Sequence, residues 1–128
     1  MEFVLVLGRI LFSLIFIGSG INHLTRASML GEYAKYKGVP APKLMTVLSG
    51  IIILLGGLSV LLGYQARVGA LLLIVFLLPT AFMMHRFWGI SDPMAAANEQ
   101  AHFMKTLALL GGALIILYYG SGPLSLGQ

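Results

Sequence analysis

Cysteine is absent from the 128 residues, and charge is scarce: Asp, Glu, Lys and Arg together make up 9% of the chain, and only four of them are acids. The first absence excludes a disulfide framework, a thiol relay, a thiolate metal site and a cysteine nucleophile. The second excludes a water-soluble domain, which at this length carries roughly a quarter charged residues. A hydrophobic share of 59% and a mean hydropathy of +0.96 have to face lipid instead. Also missing are a CxxCH haem attachment and a Gly-rich nucleotide loop, so redox catalysis by this chain alone is the least supported function. The net charge of +4 implies no nucleic acid partner, because the basic residues sit in short polar segments without the interleaved aromatics that track a phosphate backbone.

Four apolar stretches remain: Phe3 to Ile21, Leu44 to Leu62, Val68 to Met84 and Phe103 to Tyr119. A helix of about 19 residues rises roughly 28 Å, close to the thickness of a bilayer's hydrocarbon core. Backbone groups in lipid need internal partners, and runs such as Ile51-Ile52-Ile53-Leu54-Leu55 contradict the alternation of a barrel. The first stretch lacks a basic leader and is broken by Arg9, which predicts a retained helix and not a cleaved signal. Gly63 to Arg67 is a short turn, so the second and third spans form an antiparallel hairpin. In the first long connection, Met29, Tyr33 and Tyr36 recur at helical spacing before Gly38 and Pro40, predicting an interfacial helix over Ala27 to Lys37. Asp92-Pro93 reads as an N-cap followed by Pro at the first helical position, so the last helix begins near Pro93. The fold class is therefore an all-α membrane protein: one domain over residues 1–128, a four-helix transmembrane bundle with a short interfacial helix in the first loop. The expected location is the cell membrane. Counting Arg26, Lys35, Lys37, Lys43, Arg86 and Lys105 against Arg67 puts the long connections in the cytoplasm and both termini outside.

Small residues pattern the helices. Ser49, Gly56 and Gly63 recur every seven residues beside Gly50 and Gly57, and Gly111-Gly112 sits in the last span; this is a packing signal. Pro79 removes a backbone bond to Val75 and predicts a bend. Arg9 is the most informative residue, because a charge inside a span has to face the bundle, a wet cavity or the interface. It shares a broad helix face with Glu2, Ser13, Phe16, Gly20 and His23. Either it snorkels towards Glu2 and the headgroups or it donates into a buried polar pocket; lipid itself is excluded.

A second group surrounds the other long connection: His85-Arg86-Phe87-Trp88, then Asn98, His102 and Lys105 at i, i+4 and i+7. Antiparallel threading brings His23, His85, His102 and Lys105 to similar depth. No H-x-x-H, H-x-x-x-H or H-E-x-x-H spacing is present, so no metal ligands are assigned, although Glu99 or Asp92 lies nearby. One reading is an aromatic belt with histidines at the headgroup boundary. The other is a quinone or lipid site formed by Arg9, His23, His85, Trp88, His102 and Lys105, in which the donors serve oxygens and the aromatics cover a ring. No catalytic residue is assigned.

The chain resembles the DoxX family of small four-span membrane proteins. The residues that carry the resemblance are Arg9, Gly18-x-Gly20-x-x-His23, the Gly50 to Gly63 stretch, Ala66-Arg67, His85-x-Phe87-Trp88, Gln100-x-x-Phe103-x-Lys105 and the tail Gly120 to Leu126. The resemblance implies a membrane subunit linked to redox chemistry, since the family takes its name from a thiosulfate:quinone oxidoreductase. Quinone is the implied cofactor, and lipid, other membrane subunits or a second copy are the implied partners. A non-catalytic structural or assembly subunit is the alternative. Two departures stand out: Ile53 where the family often has Glu, and Ser125-Leu126-Gly127 where the tail often ends Ser-x-Asp.

Overall fold

The computed structural model describes residues 2–122 and 124–127, so Pro123 of the tail motif lies outside the described residues. Four helices are long and apolar enough to cross a membrane: α1 (Glu2–Thr25), α3 (Pro42–Leu62), α4 (Ala66–Met83) and α5 (Pro93–Tyr119). Between the first two lies α2 (Ala27–Tyr36), a ten-residue helix within the expected interfacial segment. The start of α5 is set as its sequence predicts: Asp92 is the N-cap, its carboxylate accepts from the Ala95 amide at 3.2 Å, and Pro93 follows. The chain is therefore a multi-pass membrane protein with a short fifth helix at one end.

The helices pack in the order α1, α3, α4, α5, with α2 laid across α3. Their apolar core is small: Phe16, Ile53, Val60, Leu73, Leu77 and Ala113 form one buried cluster. Outward-facing residues are equally apolar, with Leu11 at 61%, Leu55 at 55% and Ile115 at 61% exposure, as expected of surfaces meant for acyl chains. Lipid is as apolar as this core, so burial of apolar area does not hold the bundle together and close packing has to. Glycines supply it. A Cβ at Gly50 on α3 would stand 2.6 Å from the His23 Cβ on α1, and one at Gly20 only 3.0 Å from the Gly50 carbonyl oxygen. Gly56 and Gly69 bring α3 and α4 together in the same way. Next to Pro79, where α4 continues, the Thr80 hydroxyl donates to the Phe76 carbonyl at 2.7 Å.

The tail is the main element the sequence does not predict. After α5 the chain turns back over the α3–α4 turn. Leu126 and Gly127 amides donate to Leu62 and Gly63 carbonyls at 3.1 and 3.0 Å, and the Gln65 amide donates to the Gly127 carbonyl at 2.8 Å. Gly63 has to be glycine at this junction: its φ is 67°, and a Cβ there would collide with the Arg9 guanidinium and Ser125.

Gly50→Ala is expected to destabilise the bundle by about 1–3 kcal/mol, the usual cost of overpacking. Gly111→Ala, where nothing lies within 4 Å of the new carbon, should be neutral or gain up to about 1 kcal/mol from helix propensity. Equilibrium unfolding in mixed micelles checks both, and equal effects would refute this account of the α1–α3 contact.

Candidate functional site

The six polar and aromatic residues singled out in the sequence fall into three places. Arg9 lies at the end of the bundle that carries the termini. It is 6% exposed, and its fork grips the tail: Nη1 donates to the Ser121 carbonyl at 3.3 Å and Nη2 to the Leu124 carbonyl at 2.6 Å. No carboxylate among the described residues pairs with it. The guanidinium therefore points into the bundle end and not towards Glu2, which is exposed. Beside it, Arg9 Nε and the hydroxyls of Ser13 and Ser121 are buried without a protein partner.

His23 sits at the other end of α1 and joins α1 to α3. Its Nδ1 lies 3.2 Å from the Thr46 carbonyl and 3.0 Å from the Ser49 hydroxyl, which itself donates to the same carbonyl. A carbonyl only accepts, so Nδ1 carries the proton. The ring stands edge-on to Phe76 of α4, with centroids 6.0 Å apart.

His85, Trp88, His102 and Lys105 do come together, around a residue that the sequence reading left at the margin. Glu99 is the hub. Its Oε1 accepts from His85 Nδ1 at 2.7 Å and its Oε2 from Lys37 Nζ at 3.2 Å, so one carboxylate ties α5 to the end of α4 and to the C-terminus of α2. All three side chains are less than a quarter exposed, which makes these bonds stronger than surface ion pairs. The His102 ring stacks on His85 at 5.3 Å and 25°, and Lys105 Nζ lies 3.5 Å from His102 Nδ1. Against this polar group stand four aromatic rings. Trp88 meets Phe87 at 5.3 Å and Phe103 at 5.6 Å, and Phe82 closes the group at 5.6 Å from Phe103. Trp88 stays half exposed.

The inward face of α5 here is Glu99, Phe103 and Thr106. Asn98, His102 and Lys105 are exposed. The sequence offered a signal for this: Glu99 lies three residues before His102 and four before Phe103, the spacing that puts side chains on one face. Lys37 carried no such signal, since its contact depends on how α2 folds back.

Arg9→Leu is expected to leave insertion intact but release the tail. Amide hydrogen exchange at Gln65, Leu126 and Gly127 should accelerate at least about tenfold, since two charge-assisted bonds are each worth about 1.5–3 kcal/mol. Arg9→Lys should not restore protection, because a single ammonium cannot reproduce a two-carbonyl fork. Unchanged exchange in Arg9→Leu would show that the tail holds without it.

With this geometry in place, similarity to known proteins adds the family. The DoxX family profile matches residues 4–86, which takes in α1 to α4 and ends before α5. The inner membrane protein YqjF of Escherichia coli (strain K12) is 31% identical over 123 residues, covering 96% of this chain and 88% of that protein. The inner membrane protein YphA of the same organism is 27% identical over 124 residues, covering 97% and 88%. No solved structure matches the chain. The profile covers more than half of the sequence, and the relatives extend the likeness through α5 to nearly all of it: the chain belongs to the DoxX family.

Proposed function

We propose that this chain is a membrane subunit associated with an oxidoreductase, and that the end of the bundle built from α4 and α5 receives the headgroup of a quinone. The observation that carries the reading is the Glu99 hub, with His85, His102 and Lys105 set against the four-ring cluster of Trp88. A quinone headgroup is a flat ring with carbonyl acceptors. Lys105 and His102 offer donors to such oxygens, and the half-exposed Trp88 offers a face to the ring. Reduction of a bound quinone would take two electrons and two protons, with a redox-active partner subunit as the reductant. Glu99, accepting from His85 and Lys37 on its two oxygens, orients the His85 ring beside this site. Arg9 and His23 lie outside this site and serve the tail and the α1–α3 contact.

The second reading, a non-catalytic subunit that docks another membrane protein, draws on Gly8 and Gly18. Both are exposed on α1 with nothing near them, where the bundle itself makes no use of a small residue.

Trp88 is the only tryptophan in the chain, which makes the test direct. A short-chain benzoquinone should quench its fluorescence saturably in the detergent-solubilised protein, and the pair His102→Ala with Lys105→Gln should weaken the apparent affinity at least about tenfold. Quenching that rises without saturation, equally in both proteins, would reflect partition into the micelle and refute the quinone site.

A further inference from the structure

Away from this cluster, where α1 passes into α2, the surface is hollowed. A cavity of about 670 Å³ is bounded by Leu24, Arg26, Ser28, Met29 and Lys43 among others. A smaller one of about 190 Å³ adjoins it between α1 and α2 and shares Arg26 and Met29. Two cations therefore face one hollow. Among the described residues neither Arg26 nor Lys43 takes part in an ion pair or side-chain hydrogen bond, in contrast to Lys37 at the far end of α2, which Glu99 neutralises. No acid lines either cavity.

The fold sets both residues on the rim of one hollow. A Cβ on Gly31 would stand 3.2 Å from the Lys43 Cα, so α2 rests on the first turn of α3 and carries Lys43 to the hollow. Two basic residues on one rim, with no acid beside them, favour an anion in the hollow. The Ser28 hydroxyl adds a donor, and no side chain caps the first turn of α2. The depth is also informative. The apolar run of α1 ends at Ile21 and that of α3 begins at Leu44, so Arg26 and Lys43 stand just beyond the hydrocarbon. The apolar part of the rim, Leu24 and Met29, is 38% and 58% exposed.

We propose that this hollow is a binding site for the phosphate group of an anionic phospholipid, with Arg26 and Lys43 on the phosphate oxygens and Leu24 and Met29 against the first acyl carbons. Guanidinium and ammonium groups are phosphate donors, and the fork of Arg26 suits two oxygens at once. The apolar rim at headgroup depth favours a lipid over a soluble phosphate. The site shares no residue with the quinone reading and stands or falls separately from it.

The test is native mass spectrometry of the intact protein released from neutral detergent, with phosphatidylglycerol or phosphatidylcholine added. The protein should retain phosphatidylglycerol in preference. Arg26→Gln with Lys43→Gln should reduce that retention at least about tenfold, whereas Lys35→Gln with Arg86→Gln, which removes the same charge elsewhere, should leave it. Equal retention of the two lipids, or equal losses in the two double variants, would overturn the site. Displacement of phosphatidylglycerol by millimolar inorganic phosphate would overturn the lipid assignment in favour of a soluble phosphate.

Discussion

A guanidinium inside a membrane span has to find oxygen, and in this chain the oxygen comes from its own tail. The cost of an unpaired charge at this depth is several kcal/mol. The carbonyls of Ser121 and Leu124 offset it with two charge-assisted bonds. That arrangement dictates much of what surrounds it. The tail must return across the end of the bundle, so the α3–α4 turn must present free backbone groups to receive it. Gly63 must leave room for both the guanidinium and Ser125. Each feature looks minor alone, yet none has a reason without the buried cation.

The opposite end follows a different logic, with charge neutralised by charge. One carboxylate, Glu99, answers Lys37 and His85 together, and through them α5 holds the end of α4 and the end of α2. Between the two ends no ionisable side chain stands within the spans. Arg9 and His23 on α1 are fourteen positions apart, roughly 21 Å of helix. Within that interval lies Ile53, fully buried in the apolar cluster, where the family resemblance leads one to expect a carboxylate. A glutamate there would be an isolated charge against Phe16 and Leu73. Its replacement by isoleucine is consistent with a bundle whose middle only packs.

The elements were legible because their signals are local. Span lengths, the Ala27 to Tyr36 helix and the Asp92-Pro93 start of α5 all follow from hydropathy, spacing and capping chemistry. The small residues of α3 were read as packing sites, and Gly50 and Gly56 are where it meets α1 and α4; their counterparts Gly20 and Gly69 were not read so, and Gly111 of α5, which was, has nothing within 4 Å of an added Cβ. What the sequence hid were partners supplied by the backbone. Arg9 binds two carbonyls and His23 a third, and a carbonyl is present at every residue, so nothing in the sequence marks the ones that are used. The tail hid for the same reason: its bonds to Leu62, Gly63 and Gln65 are main-chain bonds with no periodic pattern behind them. Shared depth brought His85, His102 and Lys105 together, but it placed His23 with them only along the membrane normal. Sideways position depends on which helices adjoin.

That distinction between depth and neighbourhood also decides where chemistry can occur. A site for a quinone headgroup needs donors, a ring-sized apolar surface and access from the membrane side by side. At the Arg9 end the donors are turned inward and capped by the tail, with no aromatic cluster on them. Around His23 the one polar group is already bonded across α1 and α3, and its bond serves the helix crossing at Gly50. Only the α4–α5 end combines exposed donors at His102 and Lys105, a half-exposed Trp88 and a carboxylate whose position is fixed by Lys37 and His85. Because Glu99 is bonded on both oxygens, its orientation does not depend on a ligand, and the donors beside it stand in place before one arrives.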